Sequence, residues 1–332
     1  MKVFVTGATG FLGRKTVAPL ARQHALRLLV REGSSRAGFP AGVEFAAGDV
    51  TDRESLASGM AGCDAVVHAA ALVKIMAPAA EFDRVNVGGL ENVVATAAAA
   101  GVRRILYVSS FIALGPTERG PGGTLDESAE PRPRVWINDY ERTKAAADAS
   151  ARRAIALGAP LVVVYPGVIY GPGELTEGNI VVRHLLDLAH RRLPALLGRP
   201  ERRWNYAFVD DVAQGIVAAL ERAPLGGRYV LGGENVTQAE FYRLVADLGG
   251  IRVPERRMSD GLAKAAGAAM KLWARLTATT PRLTPDLVEI YRHDWAYDSS
   301  RAMRELDYRP HPLARGLAAT FAWLKGTPQW PG

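Results

Sequence analysis

Cysteine is almost missing from this chain: Cys63 is the single one in 332 residues. An intramolecular disulfide is excluded, and Cys63 reads as a small buried hydrophobe ahead of a strand. Histidine is sparse. The six, at 24, 68, 184, 190, 293 and 311, form no HExxH and no cluster with acidic residues or Cys63, so no metal is expected. No apolar run approaches the ~18 residues of a membrane span. No charged-then-apolar signal segment opens the chain. A cytoplasmic protein with no integral membrane segment is therefore expected. Internal repeats and low-complexity tracts are also lacking. The net charge is +7, but the arginine pairs at 103–104, 152–153, 191–192, 202–203 and 256–257 are scattered. They accompany no nucleic-acid module and read as solvated surface, so no nucleic-acid partner is expected.

What is present is ordinary for a soluble enzyme: 48% hydrophobic and 23% charged residues, over a length that suits about two domains. The chain opens on an apolar strand that runs straight into TGxxGxxG at 6–13. Gly7 suits a tight strand-to-helix turn, Gly10 lets a pyrophosphate approach the main chain, and Gly13 lets the following helix pack closely. The free N–H groups of that helix then face the phosphates. Thr9, Phe11 and Leu12 complete this loop. Pro19 falls inside the first predicted helix and should kink it or end it early.

Apolar runs at 3–5, 26–30, 43–46, 65–68, 105–109 and 161–165 read as strands, with helices at 12–23, 53–60, 80–100 and 138–157 between them. This βαβα alternation predicts an α/β fold: a Rossmann-type, doubly wound parallel sheet. Beyond Pro166 the rhythm changes. Helix 180–192, strand 204–209, a helix opened by Asp210 and Asp211 as caps, and strand 228–231 are expected, followed by a helical tail broken by prolines. The dinucleotide domain is expected at 1–170 and 205–235. A smaller, discontinuous, mostly helical substrate domain is expected at 171–204 and 236–330. The stretch 262–270 reads as an amphipathic helix covering a pocket, with a membrane-surface role as the alternative.

Tyr140 and Lys144 lie four apart on a helix and share a face. A phenol of pKa near 10 is a poor base, and a neighbouring ammonium favours its phenolate. Tyr140 would move the proton of an alcohol or carbonyl, Lys144 would also hold the cofactor ribose, and Ser110 would hydrogen-bond the reacting oxygen. An acid commonly ends the second strand in NAD enzymes of this fold, where it accepts the ribose 2′-OH. Arg31 stands there instead, with Ser34, Ser35 and Arg36 nearby. A guanidinium matches a 2′-phosphate, which favours NADP over NAD, although Glu32 is adjacent.

Eight segments carry a family resemblance: TGATGFLG at 6–13, GDVTD at 48–52, HAAA at 68–71, VNVGGLENV at 85–93, YVSS at 107–110, YERTK at 140–144, YPGVIYGPG at 165–173 and FVDDVA at 208–213. Over its whole length the chain resembles the extended short-chain dehydrogenase/reductase superfamily, the NAD-dependent epimerase/dehydratase group. The resemblance implies that Asp49 and Val50 contact the adenine and that Ala69, Ala70 and Ala71 line the cofactor. It places Val168, after Pro166 and Gly167, against the nicotinamide carboxamide, and has Asn86 steady the active-site helix. It selects Ser110 over Ser109. A homodimer through helices 80–100 and 138–157 is implied for many relatives, and a monomer for some reductases.

SSFIALG at 109–115, YERTKAAAD at 140–148, RLPALLG at 192–198, GGRYVLGGEN at 226–235 and YRHDWAYDSSRAMREL at 291–306 narrow the likeness. They are similar to plant farnesol dehydrogenase and dihydroflavonol-reductase-like proteins. The implied activity is NAD(P)-dependent oxidoreduction of a hydrophobic, isoprenoid- or flavonoid-like alcohol or carbonyl. A nucleotide-sugar epimerase or dehydratase is the alternative, and a non-catalytic NAD(P)-sensing protein the third. Trp204 stands where sugar-nucleotide enzymes usually carry an arginine for the diphosphate, although Arg202 or Arg203 would serve there. Phe111-Ile112 stands where 4,6-dehydratases carry Asp-Glu. Candidate substrate contacts are Leu72, Val73, Phe111, Trp136, Tyr170, Asn179, Ile180, Trp204 and Trp295.

Overall fold

The computed structural model describes every residue except 75, 119–122, 131–133, 177, 278 and 332. Its first half runs β1 (Lys2–Thr6), α1 (Phe11–Ala21), β2 (Ala25–Val30), β3 (Glu44–Ala47), α2 (Arg53–Met60) and β4 (Ala65–His68). It continues through α3 (Ala79–Phe82), α4 (Gly89–Ala99), β5 (Arg104–Val108), α5 (Asp139–Ala156) and β6 (Leu161–Pro166). Next come β7 (Val168–Tyr170), α6 (Ile180–Ala189), β8 (Arg203–Phe208), α7 (Val209–Arg222), β9 (Arg228–Leu231) and β10 (Glu234–Thr237). The tail is α8 (Gln238–Gly249), α9 (Asp260–Thr277), α10 (Pro285–Tyr291), α11 (Ser300–Leu306) and α12 (Leu313–Lys325).

Seven strands form one parallel sheet in the order β3-β2-β1-β4-β5-β6-β9. Alternation along each strand divides its side chains between two cores. Phe4 and Val66 face one core with α2, α4 and α5 residues Leu56, Val93 and Ala147. Val3, Val5 and Val67 face the other with Val17 and Leu20 of α1 and Ile216 of α7. All of these side chains are fully buried, each worth about 1.5–3 kcal/mol for the larger ones. Both faces are covered, which is why the strands read as unbroken apolar runs. The order reverses between β1 and β4, so the crevice beyond their C-terminal ends is the place where such sheets bind ligands.

Several local expectations need correction. The helix expected over 80–100 is interrupted: Asp83–Gly88 is a π-helical turn between α3 and α4. Pro19 lies inside α1, which continues two residues past it and ends at Ala21, short of the expected 23. Asp210 and Asp211 do not cap α7, whose N-cap is Phe208. Asp210 pairs with Lys15 of α1 at 3.0 Å, and Asp211 accepts from the backbone N–H of His311 at 2.7 Å. They are tethers that sit in the positive first turn of α7. β8 leaves the main sheet and forms a second one, β10-β8-β7, antiparallel to β10 and parallel to β7. α9 turns its large apolar side chains to solvent instead of over a pocket. Cys63 is buried just before β4, as expected. Among the described residues no helix is long and apolar enough to cross a membrane.

Candidate active site

The turn after β1 forms because two glycines stand where a side chain has no room. Gly7 has φ +75°, and a Cβ there would lie 2.5 Å from the Ala69 carbonyl carbon. A Cβ on Gly13 would overlap the Gly7 carbonyl oxygen. α1 is thus seated directly on the turn. In front of Gly10 the space is open: a Cβ would meet only Gly7 O, at 3.4 Å. No side chain caps α1, so its first N–H groups, from Phe11 onward, keep their donor capacity. An uncapped helix N-terminus over an open glycine is a fit for a pyrophosphate. Thr9 and Leu12 lie in the same turn and first helical residues.

Around this cradle Thr6 Oγ1 contacts His68 Nδ1 at 2.8 Å and accepts from Ala70 N at 3.3 Å. This fixes the end of β4, where Ala69, Ala70 and Ala71 follow at intermediate burial. Burial holds His68 far below its usual range, at about 3, so it is neutral. Asp49 is turned onto its own loop, accepting from Thr51 N at 2.9 Å, and Val50 is buried beside it. Arg31 is exposed just past β2. Pro166 ends β6, Gly167 donates to Leu231 O at 3.1 Å, and Val168 begins β7.

Ser110 stands two residues beyond β5; its hydroxyl accepts from Ile112 N at 3.4 Å, and its side chain lies close enough to the Tyr140 phenol to hold that group's pKa down. Tyr140 lies in the first turn of α5. Asn138 caps that helix by accepting from Glu141 N at 2.8 Å, while Glu141 accepts from Ile137 N at 2.7 Å. Arg134 seals the buried Glu141 carboxylate at 2.9 Å. One turn on, Lys144 is buried, donates to Val108 O at 3.3 Å and lies 5.2 Å from the Tyr107 ring centroid. Burial pulls its ammonium down to about 8, against the opposing pull of Asp148. Burial lifts the Tyr140 phenol to about 12, partly offset by Ser110. The fold therefore brings Ser110, Tyr140 and Lys144 together at the strand ends beside the glycine turn.

Asn86 projects from the π-helical turn and is buried. It holds Leu72 by both N–H and C=O, at 2.8 and 3.3 Å, and donates to Thr143 Oγ1 at 3.1 Å. The candidate substrate residues divide. Phe111 is half-buried against Trp295 and Tyr297, with ring centroids 5.6 Å apart in each pair. Trp136 stacks under Arg134 at 4.6 Å. Leu72 is held by Asn86. Val73 lies beside it at intermediate burial, and Ile180 is exposed. Asn179 is buried, donates to Gly171 O at 3.3 Å, and leaves its Oδ1 without a hydrogen-bond partner. Tyr170, Trp204 and Trp295 are instead built into the core. Tyr170 donates to Leu313 O, Trp204 donates to His293 O and packs 4.6 Å from Tyr291, and Trp295 donates to Ile290 O.

Thr6, Glu141, Arg134 and Thr143 were not among the expected site residues. The N-x-x-E spacing at 138–141 is a capping signal that would have revealed Glu141. The Thr6 and Thr143 contacts are long-range, and no local spacing announces them. Among the described residues no group of three or more His, Cys, Asp or Glu side chains is placed to hold a metal.

The model of the NAD dependent epimerase/dehydratase family matches residues 3–232. The chain belongs to that family. It is accordingly an NAD(P)-dependent oxidoreductase enzyme in its general class. The chain is 31% identical over 98% of its length, and 98% of the relative, to a protein named sterol demethylase protein B from Methylococcus capsulatus. It is 32% identical over 93% of its length, and 92% of the relative, to a ketoreductase of Stigmatella aurantiaca. That enzyme is named for 4-hydroxy-2-methyl-3-oxo-4-farnesyl-3,4-dihydroquinoline-1-oxide. The solved structure of gox2253 superposes with a TM-score of 0.81 at 30% identity, covering 99% of both chains.

Proposed function

We propose that this chain oxidises hydrophobic alcohols, or reduces the corresponding carbonyls, with NADP preferred to NAD. The observation that carries the reading is the meeting of Ser110, Tyr140 and Lys144 beside an uncapped glycine turn. Residues 1–170 with 205–235 are assigned to the cofactor, and 171–204 with 236–330 to the substrate. The cofactor would be held by the glycine turn and its residues Thr9, Phe11 and Leu12, by Asp49 and Val50, and by Ala69 to Ala71. Asn86, Lys144 and Pro166 to Val168 complete the set. When bound, the nicotinamide supplies or accepts the hydride.

The protein's own part is proton movement and positioning. With its pKa at about 12, Tyr140 carries its proton at neutral pH and is set to donate it to a carbonyl oxygen. Lys144, charged below about 8, is assigned to the cofactor ribose; the phenol is raised by burial and not lowered by this ammonium, contrary to the expectation from their spacing. Ser110 steadies the same oxygen. Arg31 is exposed at the end of β2, makes no ion pair among the described residues, and offers a fork that matches a 2′-phosphate.

The substrate class follows from where the cations are. A nucleotide sugar carries two phosphate charges, which need a cation when buried. Trp204 occupies the corresponding strand position as a core side chain. Arg202 is engaged by Asp294 at 3.3 Å and Arg203 donates to Gly123 O at 2.9 Å. Neither arginine is set aside for a diphosphate. The names of the Methylococcus and Stigmatella relatives, a sterol and a farnesyl-bearing ring, support an apolar body. Phe111, Leu72 and Trp136 are the contacts we assign to it, with Asn179 Oδ1 available to a hydroxyl. Turnover of isoprenoid, aromatic and sterol alcohols beside UDP-sugars tests the reading. Conversion of UDP-glucose with inert alcohols would replace it with epimerisation.

A further inference from the structure

α9 is packed inside out. The stripe it buries is small: Ala263, Gly267 and Ala274. Gly267 is so close to the start of α10 that a Cβ would lie 2.8 Å from Thr284 C and 3.0 Å from Pro285 N. The small residues set this tight approach, and the large apolar ones are left outside. Leu262 is 62% exposed, Leu272 60%, Trp273 66% and Leu276 75%, with Met270 at 37%. At 3.6 residues per turn these five share an arc of about 160°. Lys264, Lys271 and Arg275 cluster on the opposite side. Lys264 and Lys271 are fixed to Glu289 and Asp286 of α10 at 2.6 and 3.2 Å. The helix carries one acidic residue, Asp260, which pairs with Arg292 at 3.0 Å.

An 18-residue helix with Trp and Leu on one face and Lys and Arg on the other has the pattern of a segment lying in a lipid–water interface. It does not cross the bilayer. We infer that α9 docks the enzyme onto an anionic phospholipid surface through Leu262, Trp273 and Leu276. The charge fits: Lys264, Lys271 and Asp260 are neutralised against α10 and Arg292, Arg275 makes no ion pair among the described residues, and the whole chain carries +7. The position fits as well. α9 itself lies in the part of the chain assigned to the substrate, and Arg282, five residues beyond it, pairs with Asp187 of α6 at 3.8 Å. Apolar alcohols dissolve in the bilayer, and docking would place the enzyme where they are. For that purpose, though not for the binding itself, the inference rests on the apolar-substrate reading.

The test is flotation of the full chain with vesicles of phosphatidylcholine containing phosphatidylglycerol, without substrate or cofactor. The parent is expected to float. A Trp273→Ser/Leu276→Ser double variant should lose at least about tenfold in partitioning, while its melting temperature and cofactor titration match the parent. Absence of the parent from the vesicle fraction would overturn the inference, as would equal flotation of the variant. So would a parent that ignores vesicles and dimerises through this face, seen in sedimentation equilibrium as a dimer that the double variant abolishes. Because the assay contains no substrate, its failure leaves the alcohol panel untouched, and inert alcohols leave the flotation result untouched.

Discussion

Asn86 and Thr143 meet across 57 residues of sequence, Nδ2 of one donating to Oγ1 of the other at 3.1 Å. Thr143 immediately precedes Lys144, and Asn86 sits in the only π-helical turn among the described residues. Such turns recur at functional sites because the extra residue redirects a side chain. Here one amide ties the loop after β4 to the helix that carries Tyr140 and Lys144.

Asn86→Ala should therefore act on stability and on turnover together. It strands the N–H and C=O of Leu72 and takes a donor from Thr143, costing about 1–3 kcal/mol. Thermal melting with and without cofactor measures the first effect, and kcat the second. An unchanged melting temperature would mean that the tie carries no load.

Tyr140→Phe removes the proton path alone. Turnover should fall by about 10²–10⁴-fold, while cofactor affinity from a fluorescence titration stays within about twofold. Turnover near the parent rate would exclude Tyr140 as the acid–base group.

Lys144→Met tests the cost of burying an ammonium. The folded pKa of about 8 lies below the unfolded value near 10.5, so the unfolded chain binds more protons between those values and stability rises with pH there. Below pH 8 the buried charge is a full penalty. The variant should be more stable than the parent at pH 7, by roughly 1–3 kcal/mol, and the advantage should shrink between pH 8 and 10.5. Denaturant melts at several pH values read this directly. It should also be inactive.

Arg31→Ala should weaken NADP by about tenfold or more, as expected for loss of a charge-assisted pair, and leave NAD within about twofold. Equal NADP affinity in variant and parent would sink the assignment of Arg31 to the 2′-phosphate.

Where continuous periodicity and strong local signals existed, the sequence was legible. The predicted bounds of α2, β4 and β9 agree residue for residue with those observed. The TGxxGxxG run revealed its turn because only glycine meets those steric demands, at Gly7 by φ and at Gly13 by packing. Short pairings were not legible. β7 and β10 are three and four residues long and exist because β8 lies between them. The aspartates at 210–211 looked like caps because capping is local, whereas their partners Lys15 and His311 are distant.

The sequence by itself determined the sheet, its glycine turn and the spacing that puts Tyr140 and Lys144 on one helix face, because strand and helix periods and glycine sterics are local properties. Only the tertiary structure decided which polar groups meet and which aromatic residues are core. Trp204 looked available for a substrate until packing placed it on Tyr291. The stretch 262–270 looked like a cover until Gly267, closing on Thr284, turned the large side chains of α9 outward. Burial and long-range hydrogen bonding depend on what the rest of the chain brings alongside, and residue order along one segment carries no record of that.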